Sequence, residues 1–144
     1  MKIISLFILA NLFFLSTKEN KQNYTTVKQE TKLQQSIKRG KEIYVDMCAT
    51  CHLPNGKGVA KIYPPLAKSD YLMKKREASI QAIKYGLKGK IVVNGVTYNG
   101  NMASLGLYED EVADVMNYIT NAWGNKNPKM VTKEEVKKIQ KKEA

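Results

Sequence analysis

The chain predicts an all-α fold, one small helical domain carrying a single short β-hairpin. Apolar side chains recur at helical spacing in two well-separated stretches, near residues 36–47 and 109–123, and one Asn-Gly pair lies between β-prone runs. The 144 residues, 43% of them hydrophobic, suffice for one core of modest size and not for two ordinary domains.

In the first stretch Ile37, Gly40, Tyr44 and Met47 share one helical face, with Ile43 beside them, so a helix is expected to begin near Ser36 and run into Cys48. Glycine inside a helix costs about 1 kcal/mol relative to alanine. Its place on the apolar face therefore calls for close approach of another helix. The expected partner is 109–123, where Val112, Val115, Met116, Ile119, Ala122 and Trp123 form an apolar stripe. Glu109, Asp110 and Glu111 suit its positive N-terminus, and Gly124 makes a stop. Between these helices, Asn55-Gly-Lys-Gly58 and Tyr63-Pro-Pro65 read as loops. Ala78 to Tyr85, closed by Gly86, reads as a short helix. Ile91–Val93 and Val96–Tyr98 flank Asn94-Gly95 as a hairpin, expected to be small decoration. After Gly124, Thr132 with Glu135 forms a capping box and Val131 with Val136 a hydrophobic staple. The face beyond is nearly all Lys and Glu, so this last helix is expected to be exposed, with little share in the core.

These elements divide the chain into 1–17, 18–35, 36–125 and 126–144. In the first, Lys2 precedes an apolar-rich stretch from Ile3 to Leu15, the pattern of a signal peptide. As a helix that stretch reaches only about 20 Å at 1.5 Å per residue, short of a hydrocarbon core of about 30 Å. Removal, or retention as a short N-terminal membrane anchor, are the two outcomes, and either implies a periplasmic location or the outer face of the cytoplasmic membrane. Residues 18–35 are polar and read as a flexible linker, and 126–144 as a charged helical tail. The formal charge of +11 is spread along the chain without the dense Arg/Lys stripe of a nucleic-acid reader. Nucleic acid is thereby disfavoured as a partner, and acidic proteins fit better.

Cys48-Ala-Thr-Cys51-His52 is the strong chemical motif. The C-x-x-C-H spacing reads as c-type haem attachment, because two thiols one helical turn apart reach two vinyl groups of one porphyrin and place the next residue beneath the iron. A thioredoxin-like pair would normally follow a βαβ pattern, which is missing. A zinc site lacks a fourth strong ligand, since the chain has two cysteines and one histidine. With His52 the only histidine, methionine becomes the favoured sixth ligand. Met102, in a Gly- and Asn-rich loop from Asn99 to Gly106, is preferred to Met73, which adjoins the charged run Lys74–Glu77. An open sixth position, or Lys or Asn ligation, are the alternatives. An open face would suit gas binding or peroxidase-like chemistry, whereas closed His/Met coordination suits a carrier of single electrons. Lys57, Lys61, Lys68, Lys88 and Lys90 are candidates to ring an exposed haem edge and steer acidic partners.

From Ser36 to Asn125 the chain resembles class I c-type cytochromes. The likeness rests on Gly40 and Tyr44 ahead of Cys48-Ala-Thr-Cys51-His52, then Tyr63-Pro-Pro-Leu66, then Met102, then a terminal helix bearing Tyr118. It implies the cytochrome c fold around one haem c and its iron, held through Cys48 and Cys51. It also implies that the Pro64 carbonyl accepts the His52 Nδ1–H and that Leu66 lines the haem pocket. The function implied is electron transfer rather than catalysis, unless as a subunit of an oxidoreductase. The stretch from Tyr63 to Trp123 is similar to cytochrome domains attached to or partnered with bacterial copper nitrite reductases and related respiratory enzymes. A nitrite reductase, terminal oxidase or dehydrogenase is thus the kind of redox partner implied. Tyr108, where such proteins usually place a Ser or Thr cap, and Ala103, where proline is frequent, depart from that pattern.

Overall fold

A computed structural model describes residues 30–141. The expected signal peptide (1–17) and most of the expected linker lie outside the described residues. Six helices and one hairpin follow in order: α1 (Lys32–Met47), α2 (Ala49–His52), α3 (Asp70–Lys74), α4 (Arg76–Tyr85), β1 (Leu87–Val93), β2 (Val96–Met102), α5 (Glu109–Ile119) and α6 (Lys133–Lys138).

Helix α1 starts four residues earlier than its apolar periodicity indicates, inside the segment read as linker. Thr31 and Gln34 cap it reciprocally: the Gln34 N–H donates to Thr31 Oγ1 at 3.2 Å and the Thr31 N–H to Gln34 Oε1 at 2.8 Å. This is a capping box that periodicity alone does not reveal. The helix buries Ser36, Gly40 and Tyr44 against α5. A Cβ at Gly40 would drive into the Asp114 carbonyl, so the two backbones cross with only a glycine between them.

Beside the crossing lies a polar network. Asp114 accepts from Ser36 Oγ at 2.6 Å, Arg39 Nε at 2.6 Å and Arg39 Nη2 at 2.8 Å. Asn117 donates to Ser36 Oγ at 2.8 Å and to the Val131 carbonyl at 2.9 Å, and accepts the Val131 N–H at 2.7 Å. Helix α5 ends at Ile119, short of Trp123, which lies in the turn that follows with φ of 52°.

The expectation of a tail with little share in the core is corrected. Val131 and Val136 are fully buried within the same core as Tyr44, Ile80, Val112 and Met116. Arg76 on α4 grips the tail through a forked pair with Glu135 (2.6 and 2.8 Å) and through the Lys129 and Met130 carbonyls. Lys84 and Tyr85 add hydrogen bonds to the Val136 and Ile139 carbonyls. The staple marks which apolar residues are available, whereas these tertiary donors decide that they are buried.

The hairpin is longer than its β-prone core and is a wall of the central cleft rather than decoration. Its strands pair from Leu87↔Met102 to Val93↔Val96, closed by Asn94 and Gly95, both at positive φ, the twist a two-residue hairpin requires. Asp70 and Asn94 exchange side-chain to backbone hydrogen bonds of 2.9 and 2.7 Å, fixing the turn to the start of α3.

Candidate haem-binding cleft

Helix α1 delivers Cys48 at its C-cap, and the chain resumes at once as the single turn α2, whose His52 N–H donates to the Cys48 carbonyl at 2.9 Å. Cys48 and Cys51 are unbridged, half-buried and one turn apart. Burial, then the neighbouring Cys51, pushes the Cys48 thiol up to about 11.

The segment after His52 is held from several directions. The Tyr44 hydroxyl donates to the Leu53 carbonyl at 2.7 Å, and the Trp123 indole N–H to the Pro54 carbonyl at 3.2 Å. The rings of Tyr44, Tyr118 and Trp123 pack together at centroid separations of 4.9 to 5.4 Å, tilted or edge-on. Gly56, at φ of 67°, lies under the Trp123 ring with no room for a side chain, and its carbonyl accepts from Leu66 and Ala67 at 2.7 and 2.9 Å. Asn125 completes the hold, donating to the Leu66 and Ile119 carbonyls and accepting the Lys68 N–H. Sequence reasoning missed the roles of the Tyr44 hydroxyl, Trp123 and Asn125, whose partners are backbone atoms that no local pattern marks, nine residues away for Tyr44 and as many as 69 for Trp123.

As a result the Pro64 carbonyl lies 2.9 Å from His52 Nδ1. A carbonyl only accepts, so Nδ1 carries the proton and Nε2 keeps its lone pair. His52 is buried, and this burial lowers its pKa against the opposing effect of the Pro64 bond, favouring the neutral imidazole that a metal requires.

The other wall is the hairpin. Because side chains alternate along a strand, its register puts Leu87, Ile91 and Val93 on the same face as Tyr98 and Met102. Met102 is thus the last residue of β2, not a loop residue, and borders the cleft; Met73 is partly exposed on α3 and does not. Two chambers make up the cleft, an outer one of about 360 Å³ and an inner one of about 80 Å³, sharing Cys48, His52, Pro64, Leu87, Ile91 and Met102. Leu66 lines the inner chamber; Met47, Ile62 and Tyr63 stand exposed at the outer one. Of the lysines expected around the opening, Lys88 and Lys90 lie on β1, on the face turned away from the cleft, whereas Lys57 and Lys61 are exposed in the loop after His52.

This donor set suits a flat apolar cofactor better than a bare ion. The walls are largely aliphatic and aromatic, two free thiols border the space, and one neutral imidazole and one thioether are offered to a metal. No group of three or more His, Cys, Asp or Glu is placed to hold a metal ion among the described residues. The residues therefore fit a covalently attached porphyrin.

The family model described as "Cytochrome c" matches residues 37–123. The chain belongs to the cytochrome c family. Cytochrome c-552 of Thermus thermophilus is 44% identical over 109 residues, which cover 69% of this chain and 82% of that protein. The cytochrome c subunit of a quinone-type alcohol dehydrogenase from Gluconacetobacter polyoxogenes is 34% identical over 109 residues, 22% of its length. The same subunit from Gluconobacter oxydans is 28% identical over 109 residues, 21% of its length. Membership makes this cytochrome an electron-transfer protein of the haem c type, with the mainly helical fold and small hairpin the sequence predicts.

Proposed function

We propose that this cytochrome is a monohaem carrier of single electrons, with haem c joined to Cys48 and Cys51 and its iron held between His52 and Met102. The observation carrying the reading is the meeting of all four side chains around one cleft. When bound, the haem iron supplies a reversible one-electron couple. The chain does the rest. Pro64 orients the imidazole and raises its basicity through Nδ1. Met102 closes the remaining position, and its soft thioether favours the reduced metal. Leu66, Leu87 and Ile91 exclude water from the cleft and so lower the local dielectric.

The N-terminal pattern supports export to the periplasm, or to the outer face of the cytoplasmic membrane if the segment is kept as an anchor. Among the described residues no helix is long and apolar enough to cross a membrane. Partners of the class implied are respiratory oxidoreductases: a nitrite reductase, a terminal oxidase or a dehydrogenase. The alcohol dehydrogenase subunits among the relatives favour a second reading, permanent docking as a haem subunit, which co-purification from the native host would show.

Haem staining after denaturing electrophoresis, together with intact mass, tests the proposal. Material matured in a host competent for cytochrome c biogenesis is expected to stain and to carry one haem. Replacing Cys48 and Cys51 together by alanine is expected to abolish both signals. A colourless parent protein with the mass of the bare polypeptide would overturn the reading.

A further inference from the structure

Nothing in the folded chain itself explains Gly100. Glycine inside a strand gives up more conformational freedom on folding than any other residue and leaves no side chain to pack, so its presence there points to the close approach of something else. Gly100 stands within β2, opposite Gly89 on β1. Gly89 is required by its own backbone, at φ of 100°, but Gly100 is not in the left-handed region. Nor does packing exclude a side chain there, since a Cβ would meet only the Ile62 carbonyl oxygen, at an ordinary contact distance of 3.9 Å. At Gly40 another backbone stands in the way; at Gly100 there is only the open cleft, which the residue borders at the outer chamber.

The two glycines interrupt the cleft face of the hairpin. On that face Leu87 pairs with Met102 and Ile91 with Tyr98, and between them stands the bare pair Gly89 with Gly100. At about 3.4 Å per residue, Gly100 lies about 7 Å along the strand from Met102 and Tyr98 about 14 Å. The wall therefore has a notch one residue pair wide, directly beside the proposed iron ligand. Tyr98 gives a second and independent sign of an occupant. It is 6% exposed and borders the outer chamber, yet among the described residues its hydroxyl has no hydrogen-bond partner. That oxygen is not sealed in the packed core, so it opens into the chamber. A buried phenol in this condition calls for a polar group from whatever fills the space. The occupant thus combines a flat apolar edge, needing a bare backbone, with a polar substituent beyond it. A porphyrin of the haem type, with an apolar ring edge and polar carboxylate arms, is built that way.

We propose that Gly100 is a positioning residue for the haem: the notch between Met102 and Tyr98 receives the porphyrin edge on the methionine side of the ring, against the bare backbone. This rests on the haem reading above and adds the residue that sets how closely β2 approaches the ring, and so whether the Met102 sulfur reaches the iron. A side chain at position 100 holds the strand off the ring and draws the thioether away from the metal. It leaves Cys48, Cys51 and His52 untouched.

Two measurements on the holoprotein test it. In the reduced wild-type protein, nuclear Overhauser contacts are expected between the Gly100 α-protons and the porphyrin ring substituents. Gly100→Ala and Gly100→Val are expected to keep covalent haem and, when reduced, to bind carbon monoxide more tightly than the parent, by about tenfold at valine, the ratio that overpacking of this size corresponds to. Alanine falls between. Asn99→Ala, on the opposite face of the same strand, is expected to bind as the parent does. If the notch stays empty in the holoprotein, alanine fits it freely and changes nothing. Absence of the contacts, parental affinity in both glycine variants, or an equal rise in Asn99→Ala overturns the assignment. Should the valine variant fail to mature, the alanine variant and the wild-type contacts decide. Covalent haem without contact to Gly100 defeats this inference and leaves the haem reading standing, whereas loss of covalent haem from the wild type defeats both.

Discussion

The two walls of the cleft are built on different principles. The His52 wall is irregular chain fixed by many partners: the Tyr44 hydroxyl, the Trp123 indole, Gly56, Asn125 and the Pro64 carbonyl each hold a different atom between residues 52 and 68. The Met102 wall is regular structure with one degree of choice, the pairing of β1 with β2, and past Met102 the chain to Leu107 has no helix or strand. One wall is determined by redundancy and the other by register. A single lost contact should leave His52 where it is. A one-residue slip of the hairpin would turn Met102 away from the cleft altogether.

The largest expected effect comes from Met102→Ala. On the proposed ligation the variant keeps covalent haem, because the cysteines are untouched, but loses the sixth ligand. Its reduced form is expected to bind carbon monoxide readily while the parent does not, as read by visible absorption. A parent that already binds carbon monoxide would show that this wall is open.

Gly56→Ala attacks the other wall where redundancy ends. Its backbone sits at φ of 67° and the added methyl would enter the Trp123 ring. Strain and overpacking together should cost about 3 kcal/mol, visible as a lower denaturant midpoint. Gly95→Ala is the matched control on the hairpin, at φ of 78° with nothing within 4 Å of the new methyl. Only the backbone term remains, about 1 kcal/mol. Equal losses in the two variants would mean that the packing of Trp123 on Gly56 contributes little.

The smallest effect belongs to the tail, which touches neither wall directly. The Arg76 hydrogen bond holds the Glu135 carboxyl below its ordinary 4.5. A depressed carboxylate adds stability that is present above 4.5 and is lost as pH falls through the folded value. Glu135→Gln should therefore cost about 0.5–1 kcal/mol at neutral pH, the pair being partly exposed. The difference from the parent should vanish in acid, and denaturant titrations at pH 7 and pH 3 would show both.

Much of the His52 wall was legible in the sequence and much of what supports it was not. Cys48, Cys51 and His52 announce themselves because attachment chemistry fixes their spacing, and Gly40 and Tyr44 because helical periodicity exposes a glycine that needs a reason. The Asn94-Gly95 turn was readable, yet the strands extend to Leu87 and Met102 through residues of weak β-propensity, pulled in by their neighbours and the cleft. Ser36, Asp114, Asn117 and Asn125 gave no signal: each bonds to chain dozens of residues away, and no local pattern encodes a distant partner. Helix α3 was missed for a related reason. It is five residues long, begun by a Ser69 cap and the Asp70–Asn94 exchange rather than by an apolar stripe of its own.

The Ser36–Asp114–Asn117–Val131 network has a consequence in time. Helix α1 finds these partners at separations of 75 to 81 residues. Contacts of that reach are slow to close, as long-range topologies generally are. Before they close, the burial that raises the Cys48 thiol in the folded protein is incomplete, so that thiol ionises more readily in the open chain than in the finished one.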